Sequence, residues 1–205
     1  MLPKTITILG ASSVFGKVDP KGGFVGRFKL WYESKDLEFH TVYNLGIPGD
    51  NTTGMVQRVS QEIQARKPDL VIFSLGSNDA ARNGKINGPV TVDLKTFKKN
   101  VNKLIEIGRK NSDKVIFISA YPIVDSKTHP FRDTNKYYSM KDLTLYIEET
   151  KKICQRKKVP YLDIFSMFLN RNYRDYIFKD GLHCNLKGHQ LIFQQLVKFL
   201  QDLYK

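Results

Sequence analysis

Short hydrophobic runs rich in β-branched residues alternate along the chain with longer stretches in which apolar residues recur every three or four positions. The short runs are typical of buried strands, and the longer pattern is typical of helices with one buried face. Strands are predicted at residues 5–9, 38–44, 70–73, 115–118 and 160–164. Helices are predicted at about residues 25–34, 55–66, 97–105 and 139–157, and from about residue 185 onward.

Strands that alternate with helices form right-handed βαβ units, which build a parallel sheet covered by helices on both faces. We therefore predict that residues 1–205 form a single α/β domain. Apolar stripes on the helices supply its core. The stripes comprise Phe28, Leu30 and Trp31 on the first helix, Phe97, Val101, Leu104 and Ile105 on a later one, and Ile192, Leu196, Leu200 and Leu203 on the last.

The composition, with 41% hydrophobic residues among 205, is that of an ordinary globular protein. The two cysteines, Cys154 and Cys184, form no C-x-x-C motif, which argues against a disulfide framework or a structural zinc site. No apolar run approaches the ~20 residues of a membrane-spanning helix. Residues 1–4 lead directly into the first strand and leave no room for a signal peptide. We expect a cytoplasmic protein.

The formal net charge of +13 raises the question of a nucleic-acid partner. The basic residues, however, are spread over predicted helix faces, for example within residues 95–103 and 151–158. No helix-turn-helix, zinc-finger or aromatic RNA-binding motif accompanies them. We predict no specific nucleic-acid partner, and we attribute the charge to solubility or to a preference for anionic substrates.

The loop that follows the first strand, Gly10 to Val18, presents two serines where ligands bind in open α/β sheets. A phosphate-binding P-loop requires four residues between its first glycine and Gly-Lys, followed by Ser or Thr. Here five residues separate Gly10 from Gly16, and Val18 follows Lys17. No G-x-G-x-x-G dinucleotide motif is present either. The loop therefore carries either a nucleophilic serine or a serine that only satisfies turn backbone.

Three further segments bring polar groups to the same region, namely residues 44–52, 76–79 and 180–183. The first two follow predicted strands. In the third, a spacing of three residues lets the Asp180 carboxylate fold back on the His183 imidazole, where it can fix the tautomer and stabilise the imidazolium. A structural histidine is the alternative. A zinc site formed by His183, His189 and Cys184 is another, although their spacing matches no standard pattern.

Taken in order along the chain, four motifs resemble those of the SGNH or GDSL family of ester hydrolases. They are Gly10-Ala11-Ser12, Asn44-Leu45-Gly46-Ile47-Pro48-Gly49, Gly76-Ser77-Asn78-Asp79 and Asp180-Gly181-Leu182-His183. The resemblance implies a flavodoxin-like three-layer α/β/α sandwich with five parallel strands in the order 2-1-3-4-5. It also implies that Ser12 is the nucleophile, His183 the general base and Asp180 the residue that orients the base. The implied oxyanion hole consists of the N–H groups of Ser12 and Gly46 and the side-chain amide of Asn78.

One position departs from the family pattern, because Ala11 stands where the family usually has Asp and cannot hydrogen-bond the neighbouring loop. Ser13 is the rival nucleophile if the loop register shifts by one residue. We expect hydrolysis of a carboxylic ester of a small molecule, a sugar or a lysolipid, with no metal or organic cofactor.

Two further classes of function remain open at this point. One is an acyltransferase or thioesterase that uses the same site, and the other is a non-catalytic small-molecule binding protein of the same fold. The polar segment 121–136 is long for a loop between a strand and a helix. It is either a substrate-binding lid or a surface excursion.

Overall fold

The computed structural model describes residues 2–205 and contains a five-stranded parallel sheet. The strands of the chain are β1 (Thr5–Gly10), β2 (Thr41–Gly46), β3 (Leu70–Ser74), β4 (Arg82–Asn83), β5 (Lys114–Ile118), β6 (Lys136–Tyr137) and β7 (Tyr161–Leu162). The sheet has the order β2-β1-β3-β5-β7, while β4 and β6 form a separate antiparallel pair. Numbering only the five sheet strands along the chain gives 2-1-3-4-5, which confirms the predicted topology.

Eight α-helices connect or flank these strands in the part of the chain that the structure describes. They are α1 (Ser12–Phe15), α2 (Gly23–Glu33), α3 (Thr52–Arg66), α4 (Ser77–Ala80), α5 (Leu94–Asn111), α6 (Met140–Arg156), α7 (Ile164–Leu169) and α8 (Leu186–Leu203). Single 3₁₀ turns lie at Asp125–Lys127 and Tyr173–Tyr176. Within residues 2–205, no helix combines the length and the apolar character needed to cross a bilayer.

The two faces of the sheet carry separate hydrophobic layers, because successive strand residues point to opposite sides. On one face, Ile6 and Ile8 of β1 pack with residues of α2 and α8. On the other face, Leu9 of β1 and Phe73 of β3 pack with residues of α3, α5 and α6. This arrangement confirms the predicted three-layer α/β/α sandwich.

Three local predictions differ from the structure. Leu30, predicted near the buried side of its helix, is 71% exposed. Phe28 is buried as predicted, and Tyr32 takes the place expected for Leu30. The second strand begins at Thr41 because the Asp36 carboxylate accepts hydrogen bonds from the N–H groups of residues 38 and 39, which form a turn. The last strand ends at Leu162, since Asp163 caps the N-terminus of α7.

The register of the central strands brings their carboxyl ends to one level. Gly10 at the end of β1 is paired with Gly46 of β2 on one side and with Ser74 of β3 on the other. The loops that follow these three strands therefore emerge together at the same edge of the sheet. Asn185 starts α8 beside this edge as the predicted N-cap, and its side chain accepts a hydrogen bond from the N–H of Gly188.

Candidate active site

Ser12 is the first residue of α1 and lies immediately beyond the end of β1. The sharp turn depends on Gly10, because a Cβ at that position would lie 2.3 Å from Val14 Cγ2 and 2.5 Å from the carbonyl oxygen of Ser74. Gly16 ends the helix in the left-handed conformation, with φ +88°, and its N–H donates to the carbonyl of Ser12 at 3.1 Å. Two glycines thus hold Ser12 on a short helix that projects from the sheet edge.

A continuous hydrogen-bonded chain joins Ser12, His183 and Asp180. His183 Nε2 lies 3.1 Å from Ser12 Oγ, and His183 Nδ1 lies 2.8 Å from Asp180 Oδ2. Because the carboxylate can only accept, Nδ1 carries the proton and Nε2 is free to accept the serine hydroxyl. Ser13 lines the same cavity, but the Nε2 hydrogen bond goes to Ser12. The structure therefore brings the three predicted residues together in the arrangement of a nucleophile, a base and an orienting acid.

Asp180 is buried but remains ionised because of its hydrogen bonds. Burial by itself raises the pKa of this carboxyl, but hydrogen bonds from the His183 ring and from the N–H groups of His183 and Leu182 hold the pKa well below its usual range. Arg132 Nη2 also donates to Asp180 Oδ2 at 2.7 Å. The carboxylate beside His183 is therefore negatively charged at neutral pH and held in place from three sides.

Asn78 lies on the short helix α4 and lines the same cavity as Ser12. Its side-chain Nδ2 donates to the carbonyl oxygen of Asp50 at 2.8 Å, and its Oδ1 accepts from the Tyr138 hydroxyl at 3.0 Å. An amide nitrogen has two hydrogens, so one N–H remains beyond the bond to Asp50. Asn78 therefore lies at the sheet edge that also carries Ser12, as expected from the sequence.

Gly46 does not lie where the predicted oxyanion role requires. Its N–H donates to Asn44 Oδ1 at 3.0 Å, and a Cβ at this position would lie 2.1 Å from the backbone nitrogen of Phe15. Glycine is needed here so that the end of β2 can pack against α1. Because its N–H is already used, the geometry disfavours Gly46 as an oxyanion donor.

Gly49 is a second glycine of the same loop, to which the sequence analysis assigns no role in the oxyanion hole. It has φ +82° in a turn closed by the hydrogen bond from the N–H of Asp50 to the carbonyl of Ile47, and no atom lies within 4 Å of where its Cβ would be. Within residues 2–205 its own N–H makes no hydrogen bond. The next residue, Asp50, lines the cavity and accepts the Asn78 amide. The motif contains both glycines, but only the backbone conformation distinguishes them.

The cavity beside Ser12 is small. It leaves about 30 Å³ for the centre of a water-sized molecule, and its apolar wall consists of Leu75, Ala120, Tyr121 and Leu182. Ala11 also lines it and precedes α1 without a side-chain cap, as expected from the departure at this position. The N–H of Ser12 makes no hydrogen bond within the described residues 2–205.

The segment 121–136, for which the sequence leaves a lid or a surface excursion open, packs against the site through Phe131. Phe131 lies edge-on to the His183 ring, with centroids 5.9 Å apart, and edge-on to the Tyr138 ring at 5.7 Å. The neighbouring Arg132 contacts Asp180, as described above. Sequence reasoning missed all three residues, because nothing in a polar loop with two prolines indicates which side chains turn inward.

The three side chains of the alternative zinc site make separate contacts. His183 faces Ser12 and Asp180, whereas His189 Nδ1 accepts from the N–H of Phe24 at 3.2 Å. The Cys184 thiol is buried, which raises its pKa well above the usual range. Across residues 2–205, no group of three His, Cys, Asp or Glu side chains is placed to hold a metal ion.

Comparisons with known proteins agree with this fold and this arrangement of motifs. One curated relative is the isoamyl acetate-hydrolyzing esterase of Saccharomyces cerevisiae, 21% identical over 162 residues, which cover 75% of this chain and 66% of the yeast protein. The chain thus spans just under two thirds of that relative's length.

Solved structures show the same fold over almost the whole chain. A lipase/acylhydrolase from Enterococcus faecalis is 24% identical with a TM-score of 0.74, covering 95% of this chain and 94% of that one. An acetylxylan esterase from Geobacillus stearothermophilus is 17% identical with a TM-score of 0.75, covering 96% and 94%.

The decisive comparison is the one with family models. Residues 8–191 match the model of the GDSL-like Lipase/Acylhydrolase family, a stretch that begins within β1 and ends within α8. It includes all four motifs on which the resemblance was based. The match confirms both that resemblance and the predicted enzyme class, a hydrolase of carboxylic esters. With motifs, fold and family model in agreement, the chain belongs to the GDSL-like lipase/acylhydrolase family.

Proposed function

We propose that this protein hydrolyses a short-chain carboxylic ester through an acyl-enzyme, with Ser12 as nucleophile, His183 as general base and Asp180 as the orienting carboxylate. The observation that carries the proposal is the hydrogen-bonded chain from Asp180 through His183 to Ser12, at 2.8 and 3.1 Å. A serine hydroxyl is a weak nucleophile unless a base takes its proton during the attack. Here the unprotonated Nε2 already faces that hydroxyl.

The reaction follows from these positions. The Ser12 proton moves to His183 Nε2 while Oγ bonds to the ester carbonyl carbon, and the carbonyl oxygen becomes an oxyanion. The tetrahedral intermediate then expels the alkoxide, which takes the proton from His183 and leaves as an alcohol. Water attacks the acyl-serine in the same way, with His183 again as base, and releases the carboxylic acid. Asp180 stabilises the imidazolium in both halves without itself taking the proton.

The oxyanion needs donors that are fixed before the reaction. We assign this role to the N–H of Ser12 and the Asn78 amide, and we replace Gly46 by Gly49 as the second backbone donor. Gly49 is supported by its free N–H and its exposed face beside Asp50, which lines the cavity. Each donor contributes more to the charged intermediate than to the neutral ester, which is the condition for lowering the barrier.

The small cavity favours a short acyl group. The little free space beside Ser12 and its apolar wall fit a short acyl group better than a long chain. The yeast relative acts on isoamyl acetate, and the structurally similar Geobacillus enzyme is an acetylxylan esterase, so both names describe acetyl esters. We therefore propose an acetyl or similarly short ester as substrate, with the alcohol part left open toward solvent.

The test combines active-site labelling with a chain-length series. A fluorophosphonate should add once to the wild type and to Ser13→Ala, but not to Ser12→Ala, as read by intact mass. On p-nitrophenyl esters, kcat/KM should be highest for acetate and should fall at butyrate and beyond. Labelling of Ser12→Ala with loss in Ser13→Ala would refute the assignment of the nucleophile.

A product analysis in the presence of added alcohol addresses the alternative of an acyltransferase. A hydrolase should yield mainly the free acid, whereas an acyltransferase should yield the ester of the added alcohol. A folded wild type that neither reacts with the label nor turns over any ester would refute the enzyme mechanism and leave a binding protein.

A further inference from the structure

The contacts of the Asn78 side chain reach beyond the motif residues to Tyr138. The Tyr138 hydroxyl lies 3.0 Å from Asn78 Oδ1, across a sequence separation of 60 residues. On the opposite side of the same amide, Nδ2 donates to the carbonyl of Asp50 at 2.8 Å. A backbone carbonyl can only accept, so the nitrogen must face Asp50 and the oxygen must face Tyr138. Tyr138 is therefore the donor in its hydrogen bond to Asn78.

Tyr138 is itself held by contacts independent of the catalytic triad. Its N–H donates to the carbonyl of Thr128 at 3.1 Å, and its own carbonyl accepts from Thr128 Oγ1 at 2.7 Å. The preceding β6 pairs with β4, which follows α4 and thus lies close in sequence to Asn78. The Tyr138 ring is buried and packs edge-on against Phe131. The hydroxyl is thus presented to Asn78 from a fixed backbone.

A free asparagine amide rotates about its terminal torsion and has two orientations that exchange its oxygen and its nitrogen. Only one of these directs an N–H into the cavity in addition to the one given to Asp50. A hydroxyl that donates to Oδ1 favours this orientation, and it also polarises the amide, which strengthens the remaining N–H as a donor. Burial raises the pKa of Tyr138 to about 12, so the phenol keeps its proton throughout the working pH range.

We propose that Tyr138 is a positioning residue that fixes the Asn78 amide with one N–H available to the reacting oxyanion. This inference rests on the role of Asn78 in the proposed function. It explains why the segment 121–136 is followed, directly after β6, by a buried tyrosine. Phe131, in contact with both the Tyr138 and His183 rings, links this tyrosine to the base of the triad.

The test is a double-mutant cycle on p-nitrophenyl acetate with Tyr138→Phe and Asn78→Ala. Tyr138→Phe keeps the ring and removes one hydrogen bond, so kcat should fall about tenfold while KM changes little. In the Asn78→Ala background the same change should have no further effect on kcat, because Tyr138 acts only through the amide. Tyr137→Phe, on the adjacent half-exposed tyrosine, is the matched control and should leave kcat unchanged. Fluorophosphonate titration gives the number of intact sites, so that each kcat is expressed per folded enzyme.

The outcomes separate this inference from the function on which it rests. An unchanged kcat in Tyr138→Phe, or equal losses in both backgrounds, would overturn the positioning role while leaving Asn78 in place. An unchanged kcat in Asn78→Ala would instead remove Asn78 from the oxyanion hole, and the inference with it. A merely structural tyrosine would lower the melting temperature and the number of titratable sites without altering kcat per site.

Discussion

His189 is a fully buried histidine close to the end of α1, the helix that carries Ser12. Its protonation should lower the free energy of unfolding as the pH falls. It is 0% exposed, its Nδ1 accepts from the N–H of Phe24 at 3.2 Å, and its Nε2 faces the carbonyl of Lys17 at 3.3 Å. The Phe24 contact requires the neutral ring with its proton on Nε2, because a proton on Nδ1 would point at the N–H of Phe24. The Nε2–H then donates to the carbonyl of Lys17. Burial, assisted by the nearby charges of Arg27 and His183, lowers the pKa of His189 to about 4.

The change in the free energy of unfolding with pH follows from the difference in proton binding between the folded and unfolded states. In the unfolded chain a histidine has a pKa of about 6.5, so on acidification the unfolded state takes up the proton first and the folded state loses stability. Between pH 7 and pH 5 this costs about 2 kcal/mol, a sizeable share of the total stability of a typical domain, ~5–15 kcal/mol. The loss continues until the pH reaches the folded pKa near 4.

A buried carboxyl offsets part of this loss in the wild type. Asp79 is 0% exposed, and burial raises its pKa to about 6, although Thr52 donates two hydrogen bonds to Oδ1. Its folded state therefore binds a proton before the unfolded state does, which adds about 1 kcal/mol of stability between pH 7 and pH 5. The two groups partly cancel in the wild type over this interval.

Two variants separate the opposing contributions. His189→Asn keeps an acceptor for Phe24 but cannot take up a proton, so its free energy of unfolding should rise by about 1 kcal/mol from pH 7 to pH 5. Asp79→Asn, the matched control of opposite sign, should lose about 2 kcal/mol over the same interval. Urea unfolding at pH 7, 6 and 5, followed by the fluorescence of Trp31 and by circular dichroism, measures both. If His189→Asn and the wild type have the same pH dependence, the neutral buried imidazole is not what limits acid stability.

Three further predictions concern activity. Asp180→Asn should lower kcat by up to ~10⁴ while the fold is retained, because the wrong tautomer of His183 then faces the serine; near-full activity would remove Asp180 from the mechanism. Arg132→Gln removes a charge-assisted hydrogen bond that holds the Asp180 carboxylate against His183, so kcat should shift downward by roughly tenfold. Lys98→Gln, on a cation paired with Glu149 of α6, is its control, and an equal shift in both variants would contradict a local effect. If the net charge of +13 steers substrates, kcat/KM for an anionic ester should fall with added salt while a neutral ester is spared, and equal responses would leave the charge as a solubility feature.

The parts of the fold that were predictable are those with a repeating pattern. Runs such as residues 70–73 are apolar because both faces of a central parallel strand are covered, and the helix with Phe97 and Val101 shows its buried stripe at helical spacing. The four-residue helices α1 and α4 are too short to show any period, although they carry Ser12 and Asn78. They were located through motifs and not through periodicity.

The roles of the two loop glycines and the partners of Tyr138 and Arg132 were not predictable. They depend on tertiary contacts, which do not change the local sequence pattern. Gly46 and Gly49 are chemically identical, and only the packing of one against Phe15 and the positive φ of the other distinguish their roles. The bonds of Tyr138 to Asn78 and of Arg132 to Asp180 join residues 60 and 48 positions apart. A single sequence contains no signal for such pairs, because either partner has the same local pattern whether or not the other is near.

The bond between Ser12 and His183 spans 171 positions, and it gives this enzyme an order of assembly. During synthesis the serine emerges early, but its base follows only 171 residues later. The packing of α2 also requires α8. The two helices are joined by the Phe24–His189 and Arg27–Gln190 hydrogen bonds. Turnover on refolding should therefore appear with the slowest phase, after most helical circular dichroism has returned. The Ser12–His183 hydrogen bond therefore reports that the loop after β1 and the segment before α8 have come together, because no fragment that ends before residue 183 contains both side chains.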